Sequence, residues 1–171
     1  MINLTKQDVQ DAARRFMSEK DSMSLELVKT VGSGVGVYHN DIWLHRQGMI
    51  LSEASKLLTS EGELVTVIIV DDYFMSAPQY VQDVLVFHEL GHIENGDLDN
   101  ISPTNTLKRW LLMNVGIVQK IELEADKFAA KRVGKEETLK ALSWMYENVQ
   151  NKLTRREMKA RMRAVKRLRV A

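Results

Sequence analysis

His88 and His92, with Glu89 between them, stand in the stretch VLVFHELGHIENGD, residues 84–97. Four residues apart on a helix, two imidazoles lie on one face a turn apart and can grip one metal ion. Glu89 is rotated one position round, where its carboxylate reaches a metal-bound water without ligating the metal. Shuffling a chain that holds only 4 histidines would produce His-Glu-x-x-His roughly once in two hundred orders. The alternative is a buried helix whose histidines bond to backbone carbonyls. Val81, Val84, Leu85, Val86, Phe87, Leu90 and Ile93 make this helix apolar on most faces, and a helix apolar all round is a buried one. Two imidazoles and a carboxylate are costly there unless something satisfies them, and a zinc ion does so.

Zinc needs a third protein ligand if one position is to stay open. The long metzincin pattern would place glycine at 95 and histidine at 98, but the chain has Asn95 and Leu98. Asp97 and Asp99 follow the helix, though no recognised pattern places a ligand there. A better candidate is Glu122, in IELEADKFAAKRVG. Glu122 and Asp126 are i and i+4 and face the same way. Glu122 can supply the third ligand, and Asp126 can accept the N–H of a ligand histidine and hold its tautomer. Ala125 and Ala129 are small enough to let this helix approach the HELGH helix closely. The competing reading is an ordinary acidic face paired with Lys120 or Lys127.

HELGH followed by ELEADKFAA resembles the gluzincin metallopeptidases. Within them it is similar to the short soluble relatives of the HtpX peptidases and to the ImmA-type phage-repressor peptidases. The resemblance covers about residues 63–133. It implies one zinc per chain held by His88, His92 and Glu122, with Glu89 as general base and Asp126 as orienter. The implied activity is hydrolysis of a peptide or protein substrate in a zincin-like domain. TRREMKARMRAVKRL faintly resembles the arginine-bearing terminal helix of the HtpX group, without its His-Pro lead-in. A substrate would pair along the strand around 64–70, taken as an edge. Tyr146, Arg155, Arg156 and Arg163 are the candidates for stabilising the oxyanion.

The elements that must position these groups are legible in outline. Residues 5–19 read as an amphipathic helix, with Thr5 and Asp8 as a capping pair, and 30–41 as a glycine-rich turn or irregular hairpin. Gly32, Gly34 and Gly36 miss the dinucleotide fingerprint, which needs a glycine where Val37 stands. Residues 41–59 read as helix and ELVTVIIVDD (63–72) as strand. The HELGH helix has Ser76 as N-cap, Pro78 in its first turn and Gly96 as its stop. Helical periodicity resumes over 105–115, 117–133, 136–151 and 154–168. Mixed elements first and helices after make an α+β fold with a small antiparallel sheet packed on the HExxH helix. The whole, 1–171, suits one domain: N-terminal helices and loop to residue 60, a metal-site core at 63–133 and a helical tail at 134–171.

Composition bounds the rest. There is no cysteine, so disulfides and thiolate ligands are excluded and any metal rests on His, Asp and Glu. The N-terminus lacks a signal-peptide pattern and no apolar run is long enough for a bilayer, so a cytoplasmic protein without membrane contact is expected. The apolar segment 109–118 suits a core, and Trp43, Trp110 and Trp144 are too widely spaced for an aromatic box. His39 and His45 fit surface or loop positions. Net charge is +1, yet residues 152–171 carry +8 and the remainder −7. Met158, Met162, Val165 and Leu168 give that basic tail one packing face. Its other face suits docking on the acidic body, or alternatively nucleic acid or an acidic partner as the site of a binding module.

Overall fold

The computed structural model describes residues 26–32, 34–39, 52–58, 62–100, 120–148 and 152–169. Four strands come first: β1 (Glu26–Val31), β2 (Val35–His39), β3 (Ser52–Leu58) and β4 (Leu64–Val70). Five α-helices follow among the described residues: α1 (Asp72–Ser76), α2 (Gln79–Glu94), α3 (Lys120–Val133), α4 (Lys135–Asn148) and α5 (Lys152–Arg167). A 3-10 turn, Asp97–Asn100, continues from α2. The class is α+β, as expected. The helices expected over 5–19 and 105–115, the segment 109–118, and Trp43, His45 and Trp110 lie outside the described residues.

Glycine makes the first turn. Gly32 and Gly34 take φ of 55° and 99° between β1 and β2, a conformation that a side chain disfavours. The sheet order is β1-β2-β4-β3, with β1–β2 and β3–β4 antiparallel and β2–β4 parallel. The sheet is therefore mixed rather than antiparallel. β4 is also interior, not the edge that the sequence suggested. Val67, Ile68, Ile69 and Val70 are all buried, and so continuous an apolar run belongs to a strand flanked and covered by others.

The outer position beside β4 falls to β3, in a segment read as helix. Ala54, Leu57 and Leu58 have spacings that fit a helical face, which is why 52–58 misleads. Antiparallel pairing from Ser52↔Val70 to Leu58↔Leu64 decides for strand, an instance of tertiary context outweighing local pattern. The start of the HELGH helix differs too. Ser76 closes α1 by donating to the Tyr73 carbonyl, Asp71 caps α1 through Phe74 N, and Pro78 is the cap residue of α2. After Asn95, Gly96 at φ 70° ends α2 as expected.

One hydrophobic cluster joins the sheet (Val37, Ile68, Val70) to α2 (Val81, Val84, Val86, Leu90), α3 (Ala129), α4 (Ala141, Leu142, Met145) and α5 (Met158, Val165). With strands against one side and helices against the other, α2 is buried as its sequence requires. α5 turns Met158 and Val165 inward and leaves Arg155, Arg156, Lys159, Arg163, Lys166 and Arg167 exposed. Among the described residues, no helix is long and apolar enough to cross a membrane.

The approach of α2 to α3 is set by Gly91. A Cβ there would lie 2.9 Å from Ala125 Cα, 3.1 Å from Phe128 Cβ and 3.3 Å from Ala125 Cβ. None of these atoms is the free end of a flexible side chain, so the helices would have to part. Gly91→Ala is expected to destabilise the fold by about 1–3 kcal/mol through overpacking, although alanine in an open helix would stabilise by about 1 kcal/mol. Denaturant unfolding reads the sign, and a stabilised variant would refute the close contact.

Candidate metal centre

α2 presents His88 and His92 on one face, and the Gly91–Ala125 contact brings Glu122 of α3 against them. His88 Nε2 lies 3.1 Å from His92 Nε2 and 3.4 Å from Glu122 Oε2, and His92 Nε2 lies 4.0 Å from the same oxygen. His88 and Glu122 are buried, His92 partly so. A point equidistant from these three atoms is about 2.1 Å from each, which is the length of a bond from zinc to imidazole nitrogen or carboxylate oxygen. The triad can hold a metal ion.

The far side of each ring explains why. His88 Nδ1 is 3.0 Å from Asp126 Oδ1 and His92 Nδ1 is 2.9 Å from Asp97 Oδ2. A carboxylate only accepts, so both Nδ1 atoms carry hydrogens and donate. The two Nε2 atoms then face one another, an arrangement that either a metal ion or a proton on one of them can satisfy. Asp126 thus makes the contact with His88 that an orienting residue would make. Asp97 makes the equivalent contact with His92 and is not among the three residues whose ligand atoms converge.

Arg161 of α5 is the group that sequence reasoning missed. Its Nε donates to Asp126 Oδ2 at 2.8 Å and its Nη2 donates to Asp126 Oδ1, while Nη1 lies 3.6 Å from Glu122 Oε2. Nη2 also stands 3.1 Å from His88 Nδ1. Those two donors converge on Asp126 Oδ1 and do not bond one another. A signal was present: Arg161 is three residues after Met158 and four before Val165, so it occupies the inward stripe of its helix. An arginine on an apolar stripe needs a buried acid. Burial works against its charge, and Asp126 more than offsets this, holding the guanidinium pKa above its ordinary value. Burial likewise pushes the Asp126 carboxyl up, and Arg161 beside it overrides that and keeps it below its ordinary value.

Asp126 therefore has two duties, where the sequence suggested one. Asp126→Asn is expected to weaken metal binding roughly 10–100-fold, the usual effect of losing an outer partner. It should also destabilise the fold by about 3 kcal/mol, since it leaves Arg161 buried against an amide. Zinc titration and thermal unfolding read the two effects separately, and no change in either would remove Asp126 from the site.

His88 also links the centre to pH. Burial and the Arg161 charge push its pKa down, but hydrogen bonds to Asp126 and Glu122 outweigh them and raise it to about 9. In metal-free protein a proton then takes the cation's place, so a metal must displace it. Below pH 9 the affinity for zinc is expected to rise with pH, with release of about one proton per ion bound. Calorimetry in buffers of differing ionisation enthalpy measures that release. Uptake at pH 7 without any proton release would contradict this.

Glu89 points from the same helix toward β3. Its Oε1 accepts from Ser52 Oγ and its Oε2 from Ala54 N, each at 2.9 Å. Of the suggested oxyanion groups, Arg155, Arg156 and Arg163 are exposed on α5. Tyr146 lies beneath Arg155 and Lys159, whose charged ends are 4.6 Å and 5.0 Å from its ring centre. His39, on β2, pairs with Asp72 at 2.7 Å. No family model, no curated protein and no solved structure matches this chain.

Proposed function

We propose that the protein is a zinc-dependent peptidase of the gluzincin kind, and the observation that carries this reading is the convergence of His88 Nε2, His92 Nε2 and a Glu122 carboxylate oxygen on one point. The donor set of two imidazoles and one carboxylate suits zinc and leaves room for a reacting molecule. Bound there, zinc supplies a Lewis acid that polarises a carbonyl and acidifies water. Glu89 takes the proton of the attacking water and passes it to the leaving amine. Asp126 and Asp97 keep His88 and His92 in the tautomer that binds metal. Arg161 holds Asp126 ionised, and its Nη1 steadies Glu122. Being tied to Asp126 by two hydrogen bonds, it is an orienting group rather than a donor to the developing oxyanion. A peptide strand would pair along β3, the edge nearest Glu89 among the described residues, rather than along β4.

The test is a metal analysis of the purified protein joined to casein hydrolysis. One zinc per chain is expected, with hydrolysis abolished by chelation and restored by zinc. Proteolysis that persists without metal would end this reading. The exposed cations of α5 favour a second one, a module that binds nucleic acid or an acidic partner through that face. Salt-sensitive nucleic-acid binding that survives removal of His88 and His92 would support it.

A further inference from the structure

We infer that Ser52 is a positioning residue for Glu89: its hydroxyl and the Ala54 N–H together clamp the carboxylate against β3 and fix the direction in which it meets a water. This rests on the reading of Glu89 as a general base. Both carboxylate oxygens are held at once, Oε1 by Ser52 and Oε2 by Ala54, each at 2.9 Å. Ser52 and Glu89 are 6% and 8% exposed, so water competes little for either bond. The two donors, a side-chain hydroxyl and a backbone N–H, stand two residues apart on one strand, and that strand is pinned to β4 from Ser52 to Leu58.

A glutamate has three rotatable bonds, and burial alone leaves the last of them free to turn. One donor on each oxygen stops that rotation, and the remaining lone pairs stay available for a proton. Without the hydroxyl, the Ala54 N–H alone would hold one oxygen and the carboxylate would swing about it. Misplacement of a reacting group by an ångström lowers rates by as much as ~10²-fold. A serine that served the fold alone would cost stability and leave turnover per folded molecule unchanged.

The experiment compares zinc-loaded wild type, Ser52→Ala, Ser52→Thr and Glu89→Gln. Hydrolysis of fluorescein-labelled casein gives kcat and KM. Calorimetry gives the affinity for acetohydroxamate, which binds zinc and hydrogen-bonds to a carboxylate beside it. Ser52→Ala is expected to keep its zinc, to lower kcat about 10-fold or more with KM nearly unchanged, and to weaken acetohydroxamate about 5-fold, one lost hydrogen bond. Ser52→Thr, which retains the hydroxyl, is expected to recover most of both. Wild-type kcat and wild-type hydroxamate affinity in folded Ser52→Ala would overturn the assignment and leave the peptidase reading standing. Full hydrolysis by Glu89→Gln would instead remove the general base on which the assignment depends.

Discussion

Glu89→Gln is expected to yield a folded, zinc-loaded protein whose peptide hydrolysis is at least ~100-fold slower, the scale of lost general-base catalysis. The geometry explains why the effect should be confined to chemistry. Glutamine has the size of glutamate, one acceptor and one donating amide. Its oxygen can take the Ala54 N–H, and its NH2 can donate to Ser52 Oγ once that hydroxyl rotates away. Neither buried contact is orphaned, so thermal stability should stay near that of the wild type or above it. A carboxylate kept for structure would behave in the opposite way, changing stability and sparing function. Zinc content, melting temperature and casein hydrolysis on one preparation separate the two, and full activity would replace the peptidase reading with the binding-module one.

Removal of the ligands is expected to have the other large effect. His88→Ala and His92→Ala should retain no zinc through dialysis, because each leaves only two of the three donors that surround the common point. Glu122→Ala should weaken binding beyond the roughly 10–100-fold that follows from losing an outer partner. Asp97→Ala is the informative comparison. It removes the acceptor of the His92 Nδ1–H and no donor to the metal, so its loss should stay within that range. If Glu122→Ala held stoichiometric zinc tightly while Asp97→Ala lost it, the third ligand would be Asp97.

The residues that could hold a metal were legible because helical spacing carries direction. Residues i and i+4 share a face whatever surrounds them, so His88 with His92, and Glu122 with Asp126, could be paired from the chain alone. Groups placed by tertiary contact were not legible in that way. Asp97 follows the end of α2, where periodicity no longer says which way a side chain turns. Ser52 belongs to a polar strand, SEASKLL, that exists because β4 pairs with it. Arg161 was readable in principle from its place on an apolar stripe, but its number among nine basic residues of the tail concealed it. The position of β4 between β2 and β3 depends on a crossover that no local pattern encodes.

The dependence of Asp126 on Arg161 bears on how the protein is made. A ribosome that has released residues up to 150 has already delivered His88, Glu89, His92, Glu122 and Asp126. It has not yet delivered the arginine that keeps Asp126 ionised and in place. Until α5 emerges and docks through Met158 and Val165, the nascent chain has its candidate metal donors and Asp126 without Arg161. The centre is completed only once α5 has followed the sheet, α2 and α3 in chain order. A chain cut short before Arg161 would carry all three candidate metal donors and an unfinished site.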